Sequence, residues 1–136
     1  MDCLFCGIVA GTVPSQRVDE DERTVSFMDI NPATEGHLLV VPRAHARDLL
    51  DAEPDDLAAC ARTAQRLAAR VVERLGADGV NLLSCCGEVA WQTVFHLHLH
   101  VVPRYAGDPA RDDLTLPWVP TPGDAAVIAA TAERLR

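Results

Sequence analysis

Residues 91–104 read Trp91-Gln92-Thr93-Val94-Phe95-His96-Leu97-His98-Leu99-His100-Val101-Val102-Pro103-Arg104. His96, His98 and His100 alternate with Leu97, Leu99 and Val101, the pattern of a strand with one buried face. Side chains at i, i+2 and i+4 of a strand share a face. The pattern predicts three imidazoles in a row, with Phe95, Leu97, Leu99 and Val101 turned into a core. Two histidines at i and i+2 can share a zinc. All three cannot, because the outer pair lie roughly 13 Å apart along a strand and Zn–N bonds are about 2 Å. At least one imidazole then has other work. A neutral imidazole can attack phosphorus while its neighbours hold the phosphate. Plain surface histidines are the remaining reading, and three in register out of only five weigh against it.

Composition narrows the classes. At 136 residues the chain suits one domain with a real core, and 49% hydrophobic content argues against disorder. A net charge of −8 argues against a nucleic-acid binder. An anionic ligand must therefore be held by local donors, not by the global field. All 12 basic residues are Arg, which excludes a lysine nucleophile. No leader pattern or membrane-length apolar run is present, so the expected location is the cytoplasm, with the five cysteines reduced. No repeat or linker divides residues 1–136.

Outward from the histidine stretch, the chain breaks into recognisable elements. Cys3-Leu4-Phe5-Cys6 is half a zinc site, a redox pair or two small buried residues, with His45 and His96 as candidate partners for zinc. Leu4 to Ala10 suits a short helix ended at Gly11. Residues 24–30 and 37–41 read as strands around the turn Asn31-Pro32-Ala33-Thr34-Glu35-Gly36. Pro54-Asp55-Asp56 opens one long helix closed at Gly76. Its predicted apolar face is Leu57, Cys60, Ala61, Ala64, Leu67, Ala68, Val71, Val72 and Leu75. Arg62, Arg66, Arg70 and Arg74 form a stripe on another face, read as solvated in view of the net charge. Residues 80–84 are a third strand, 105–122 a Pro- and Asp-rich loop, and 123–135 a final helix with an Ala, Val and Ile face.

Gln92-Thr93-Val94-Phe95-His96-Leu97-His98-Leu99-His100-Val101-Val102-Pro103-Arg104 resembles the signature of the histidine-triad family of nucleotide hydrolases and transferases. Asp29-Ile30-Asn31-Pro32, the Gly36 to Pro42 run and His45 resemble the family's second block. The likeness covers residues 3 to about 105 and leaves 106–136 as a loop and a C-terminal helix.

The resemblance implies an α+β fold: an antiparallel sheet crossed by one long helix, with short N- and C-terminal helices, in a homodimer whose sheet continues across the pair. It implies that His98 is the nucleophile on the α-phosphorus of an AMP or GMP conjugate, passing through a nucleotidyl-histidine. His100 would bind phosphate or the leaving group, and His37 would belong to the catalytic shell. Gln92 and Thr93 would donate to phosphate oxygens. Leu4, Phe5, Ile8, Val13 and Phe27 would form the base pocket, and Asp29 would accept from the ribose diol. Cys3, Cys6, His45 and His96 would hold one structural zinc, with no metal needed for the chemical step. The family often has Asn where Cys85 and Cys86 stand and Gly where Trp91 stands. Those departures fall near the phosphate and leaving-group side, where Trp91 could cover the pocket mouth and the two cysteines could line the site. Two other classes remain open: a nucleotide-binding regulatory module with weak or no catalysis, and a zinc-sensing or zinc-storing protein.

Overall fold

The computed structural model describes residues 2–117 and 119–136. The helix α1 (Leu4–Ala10) precedes the strands β1 (Arg17–Glu20), β2 (Thr24–Met28) and β3 (Leu38–Pro42). The long helix α2 (Pro54–Leu75) follows, then β4 (Gly79–Leu83), β5 (Leu99–Arg104) and α3 (Ala125–Leu135). One five-stranded sheet runs in the order β1-β2-β3-β5-β4, every pair antiparallel.

The central strand β3 is buried along its whole length, which is why Leu38-Leu39-Val40-Val41 is apolar without alternation. On one sheet face Leu38, Val40, Leu99 and Val101 pack under Cys60, Ala64, Leu67 and Val71 of α2. On the other, Val25, Phe27, Leu39 and Val41 meet Phe5 and Ile8 of α1. Leu39 stands directly opposite His100, so β5 puts His100 on the α1 side of the sheet while Leu99 and Val101 face α2.

The expected α2 matches in its bounds, with Pro54 at its first turn and Gly76 closing it in a left-handed conformation. Its buried face is narrower than expected. Ala59 and Thr63 belong to it, whereas Ala61, Val72 and Leu75 are exposed. Thr63 belongs because its hydroxyl meets that of Thr24 at 2.9 Å, a polar pair buried under the helix. Two members of the arginine stripe are paired: Arg66 and Arg70 reach Asp19 on β1.

The histidine stretch departs from a uniform strand. Regular pairing begins only at Leu99, because β3 pairs with β5 no further than Val40↔Leu99. Beyond it comes Pro42, which has no N–H to continue the ladder. Leu97 N–H goes instead to the carbonyl of Ala46. His96 and His98 therefore stand in an irregular segment, yet all three imidazoles face the α1 side: His96 meets Cys3 and Cys6, Phe5 packs on both His96 and His98, and His98 lies beside His100. Phe95 is also not in the core; it is half-buried beneath the Arg47 guanidinium, 4.6 Å from its ring centre.

Strand β1 gives no apolar alternation to read: it is a short, charged edge strand. The Asp-rich loop after β5 is tied down by Arg104 to Asp112 and by the Tyr105 hydroxyl on the Glu35 carbonyl. The face expected on α3 buries nothing among the described residues.

Candidate functional site

Two backbone groups assign the protons of this site. His98 Nδ1 lies 2.7 Å from the His96 carbonyl, which can only accept. Nδ1 therefore carries the hydrogen, and Nε2 keeps a free lone pair. The backbone N–H of Ala33 donates to His37 Nδ1 at 2.9 Å. That nitrogen is then unprotonated, and His37 carries its hydrogen on Nε2. His37 Nε2 lies 2.9 Å from His100 Nδ1, so the hydrogen is donated to His100 and the His100 hydrogen sits on Nε2. The result is a lone pair at His98 Nε2 beside an N–H at His100 Nε2, with ring centres 4.9 Å apart.

Burial keeps all of these rings neutral. It pushes His98 below its usual value, against the His96 carbonyl bond and the charge of Asp29, which favour protonation. Burial also depresses His37, opposed by Asp29. It pushes His100 down to about 4, helped by His98 and His37.

His98 and His100 open onto a cavity of about 230 Å³. Leu4, Phe5, Ile8, Val13, Phe27, Asp29 and Thr93, all expected at the site, line it as well. Phe5 sets its edge against His98, with ring centres 5.0 Å apart, and against Phe27 at 5.3 Å. Asp29 takes the Asn31 N–H on one carboxylate oxygen, and its other oxygen stands 3.5 Å from His37 Nε2.

Other expected residues take different positions. His37 is buried and absent from the cavity wall, and it is hydrogen-bonded to His100, which lines that wall. Gln92 is buried with its amide fully engaged: its carbonyl accepts from Gly87 N–H, and its NH₂ donates to the carbonyls of Arg47 and Val94. It braces the loop before the histidines and has no donor left for phosphate. Trp91 is 77% exposed and, like Cys85 and Cys86, does not line the cavity. Pro14, Ser15, Met28, Ile30, Asn31, Leu39 and Val94 line it without having been expected. Met28, Ile30, Asn31, Leu39 and Val94 lay in strands or motif blocks the sequence singled out, whereas Pro14 and Ser15 carried no signal.

A second cluster lies behind α1. Cys3 Sγ and Cys6 Sγ are each 3.5 Å from His96 Nδ1, Cys6 Sγ is 3.3 Å from His45 Nδ1, and the two histidine nitrogens are 3.2 Å apart. Tetrahedral zinc with ordinary bond lengths requires S–N edges of about 3.6 Å and N–N edges of about 3.3 Å. The four side chains fit. His96 Nε2–H donates to the Pro42 carbonyl at 2.9 Å, which leaves Nδ1 as the lone pair aimed into the cluster. Asp29, His37 and His100 also bring ligand atoms within 4.8 Å of one another. A metal on His37 Nε2 would need the proton on Nδ1, where the Ala33 N–H already points. In that trio His37 hydrogen-bonds His100 and the Asp29 carboxylate stands beside the pair.

Comparison with known proteins agrees with this geometry. The family model for the HIT domain matches residues 10–107. A HIT-like protein of Methanocaldococcus jannaschii is 42% identical over 106 residues, spanning 78% of this chain and 81% of that protein. A Zn-bound histidine triad family protein from Mycobacterium smegmatis superposes with a TM-score of 0.77 at 47% identity, covering 85% of each chain. A histidine triad nucleotide-binding protein from Candida albicans gives a TM-score of 0.82 at 29% identity, over 98% of this chain and 94% of that one. With the domain match spanning most of the chain and both histidine clusters assembled, the protein belongs to the HIT, or histidine-triad, family.

Proposed function

We propose that the chain is a nucleotidyl hydrolase or transferase acting on the α-phosphate of purine nucleotide conjugates, phosphoramidates or dinucleoside polyphosphates, with His98 as nucleophile. The observation that carries this reading is the free Nε2 lone pair of His98 beside the His100 N–H, on the wall of a mostly apolar cavity.

The base stacks among Leu4, Phe5, Ile8, Val13 and Phe27, and Asp29 accepts from the ribose hydroxyls. His98 Nε2 attacks phosphorus, the bond from phosphorus to the leaving group breaks, and the leaving group departs with a proton from water. The new nucleotidyl-imidazolium keeps its Nδ1–H on the His96 carbonyl. His100 Nε2–H and the Thr93 hydroxyl hold the phosphate oxygens as charge develops. Water, or an acceptor in a transfer, then attacks phosphorus, the P–N bond breaks, a proton is released and neutral His98 is restored. His37 positions His100 through its tautomer. No step calls on a metal ion at phosphorus. Zinc held by Cys3, Cys6, His45 and His96 would supply folding energy at this end of the chain. The acting unit is a homodimer.

The test is mass spectrometry after rapid quench with an adenosine phosphoramidate. An adenylyl group on His98, absent from a folded His98→Ala variant, is expected. Nucleotide bound with neither adduct nor product overturns the mechanism and makes the chain a nucleotide-binding regulatory module. Neither nucleotide bound nor product formed, with zinc exchanging freely, makes it a zinc-handling protein.

A further inference from the structure

The helix α1 is only seven residues long, too short to hold its shape without tertiary anchors. Two sites share it. Cys3 caps its first turn, the sulfur accepting the Cys6 N–H at 3.4 Å, and the two sulfurs stack at i and i+3 beside His45 and His96. Leu4, Phe5 and Ile8 of the same helix form one wall of the cavity. At its far end Arg17 reaches the carbonyls of Ile8 and Val9. The metal-ligand cluster and the cavity are thus two sides of one small body.

A second route runs through His96. Its ring belongs to the Cys/His cluster, while its carbonyl accepts the Nδ1–H of His98. Phe5 bridges the pair, its ring centre 6.1 Å from His96 and 5.0 Å from His98. A shift of His96 moves the group that orients the His98 imidazole. His45 and Cys6 are not deeply buried, so metal can enter and leave without opening the core.

We infer that zinc occupancy of the Cys3, Cys6, His45 and His96 set and nucleotide binding in the cavity are thermodynamically linked through α1 and His96. Zinc clamps the cavity wall and raises affinity for a nucleoside monophosphate. By reciprocity, bound nucleotide raises affinity for zinc by the same factor. The metal then works as a control on the nucleotide site as well as a structural tie. This inference rests on the nucleotide reading of the cavity given above.

The test titrates AMP into the full chain, zinc-loaded and chelator-stripped, by calorimetry, and titrates zinc against a chromophoric chelator with and without AMP. The expected result is AMP affinity lower by about tenfold in the stripped protein, with a matching factor in zinc affinity. Hydrogen exchange of the stripped protein should quicken at residues 4–13 while Val25, Val40 and Leu67 stay protected. Equal AMP affinity in the two forms overturns the linkage and leaves the nucleotide reading intact. Global loss of protection on zinc removal overturns it too, since the effect would then not be carried by α1. No AMP binding by the zinc-loaded chain overturns the nucleotide reading, and the inference falls with it. An Arg17→Met variant, which frees α1 at its other end, should weaken AMP binding with zinc still bound. Unchanged affinity there removes α1 as the carrier.

Discussion

His98 and His100 stand two residues apart and carry opposite tautomers, each set by a group outside its own side chain. One presents a lone pair and the other an N–H, the pair of groups on which the proposed nucleophilic site rests. Both states depend on neutral rings, and that has a consequence for stability. The folded value of His100 is about 4, below its ordinary value of 6.5, and His37 is shifted the same way. Acid therefore protonates the unfolded chain first. The stability is fully present above pH 6.5 and is lost as pH falls from 6.5 toward 4. Denaturant midpoints measured across that window should drop steeply for the zinc-loaded wild type and less steeply for His100→Gln. Equal slopes would mean that His100 is not the buried neutral ring described.

At the scale of elements, the turn between β2 and β3 matters most, because it delivers Asp29 at one end and His37 at the other. The two are joined by Asp29 N–H on the His37 carbonyl. Gly36, just before His37, has φ of +86°, and a Cβ there would fall 2.6 Å from Leu75 Cδ1 on α2. The backbone conformation demands glycine, and the tip of the exposed Leu75 side chain would have to move aside for any Cβ. Gly36→Ala should cost about 1–3 kcal/mol and should disturb the His37–His100 relay before it disturbs the core. Chemical denaturation measures the first effect. The ¹⁵N shifts of the imidazoles measure the second, with His100 losing its pure Nε2–H signature. A stability change within a few tenths of a kcal/mol would refute the left-handed conformation of Gly36 in this turn.

Across the whole molecule, the sheet is finished on one edge and open on the other. Strand β1 is covered with charge, and its acids pair with the arginines of α2. Strand β4 has Leu82 half exposed, and α3 carries Val127 and Ile128 about 60% exposed with no buried residue. These apolar surfaces suit a second copy of the chain. Light scattering after size exclusion should give twice the 14.7 kDa chain mass, and Ile128→Glu should shift it toward monomer. A wild-type monomer at micromolar concentration would remove the homodimer from the proposal. Among the described residues no helix is long and apolar enough to cross a membrane.

How much was legible in the sequence follows from where the information lies. The α2 boundaries could be read because proline, acids and glycine act locally, within a turn of their own positions. The Cys/His set and the cavity residues could be named because the histidine-rich strand resembles a known family pattern. The sequence could not show that regular pairing stops at Leu99 and leaves His96 and His98 in an irregular segment. That outcome depends on Pro42, fifty-four residues away, refusing a ladder bond and offering its carbonyl to the ring. Nor could it show that Gln92 spends its amide on the backbone, or that β1 exists, since an edge strand held by side-chain charge carries no alternation. The sequence by itself determined which side chains this protein has for its chemistry and the helix that backs them. Only the tertiary structure decided which nitrogen of each histidine bears the proton. Those protons are set by the carbonyls of His96 and Pro42 and the amide of Ala33, and backbone groups are the same in every sequence until folding gives them a position.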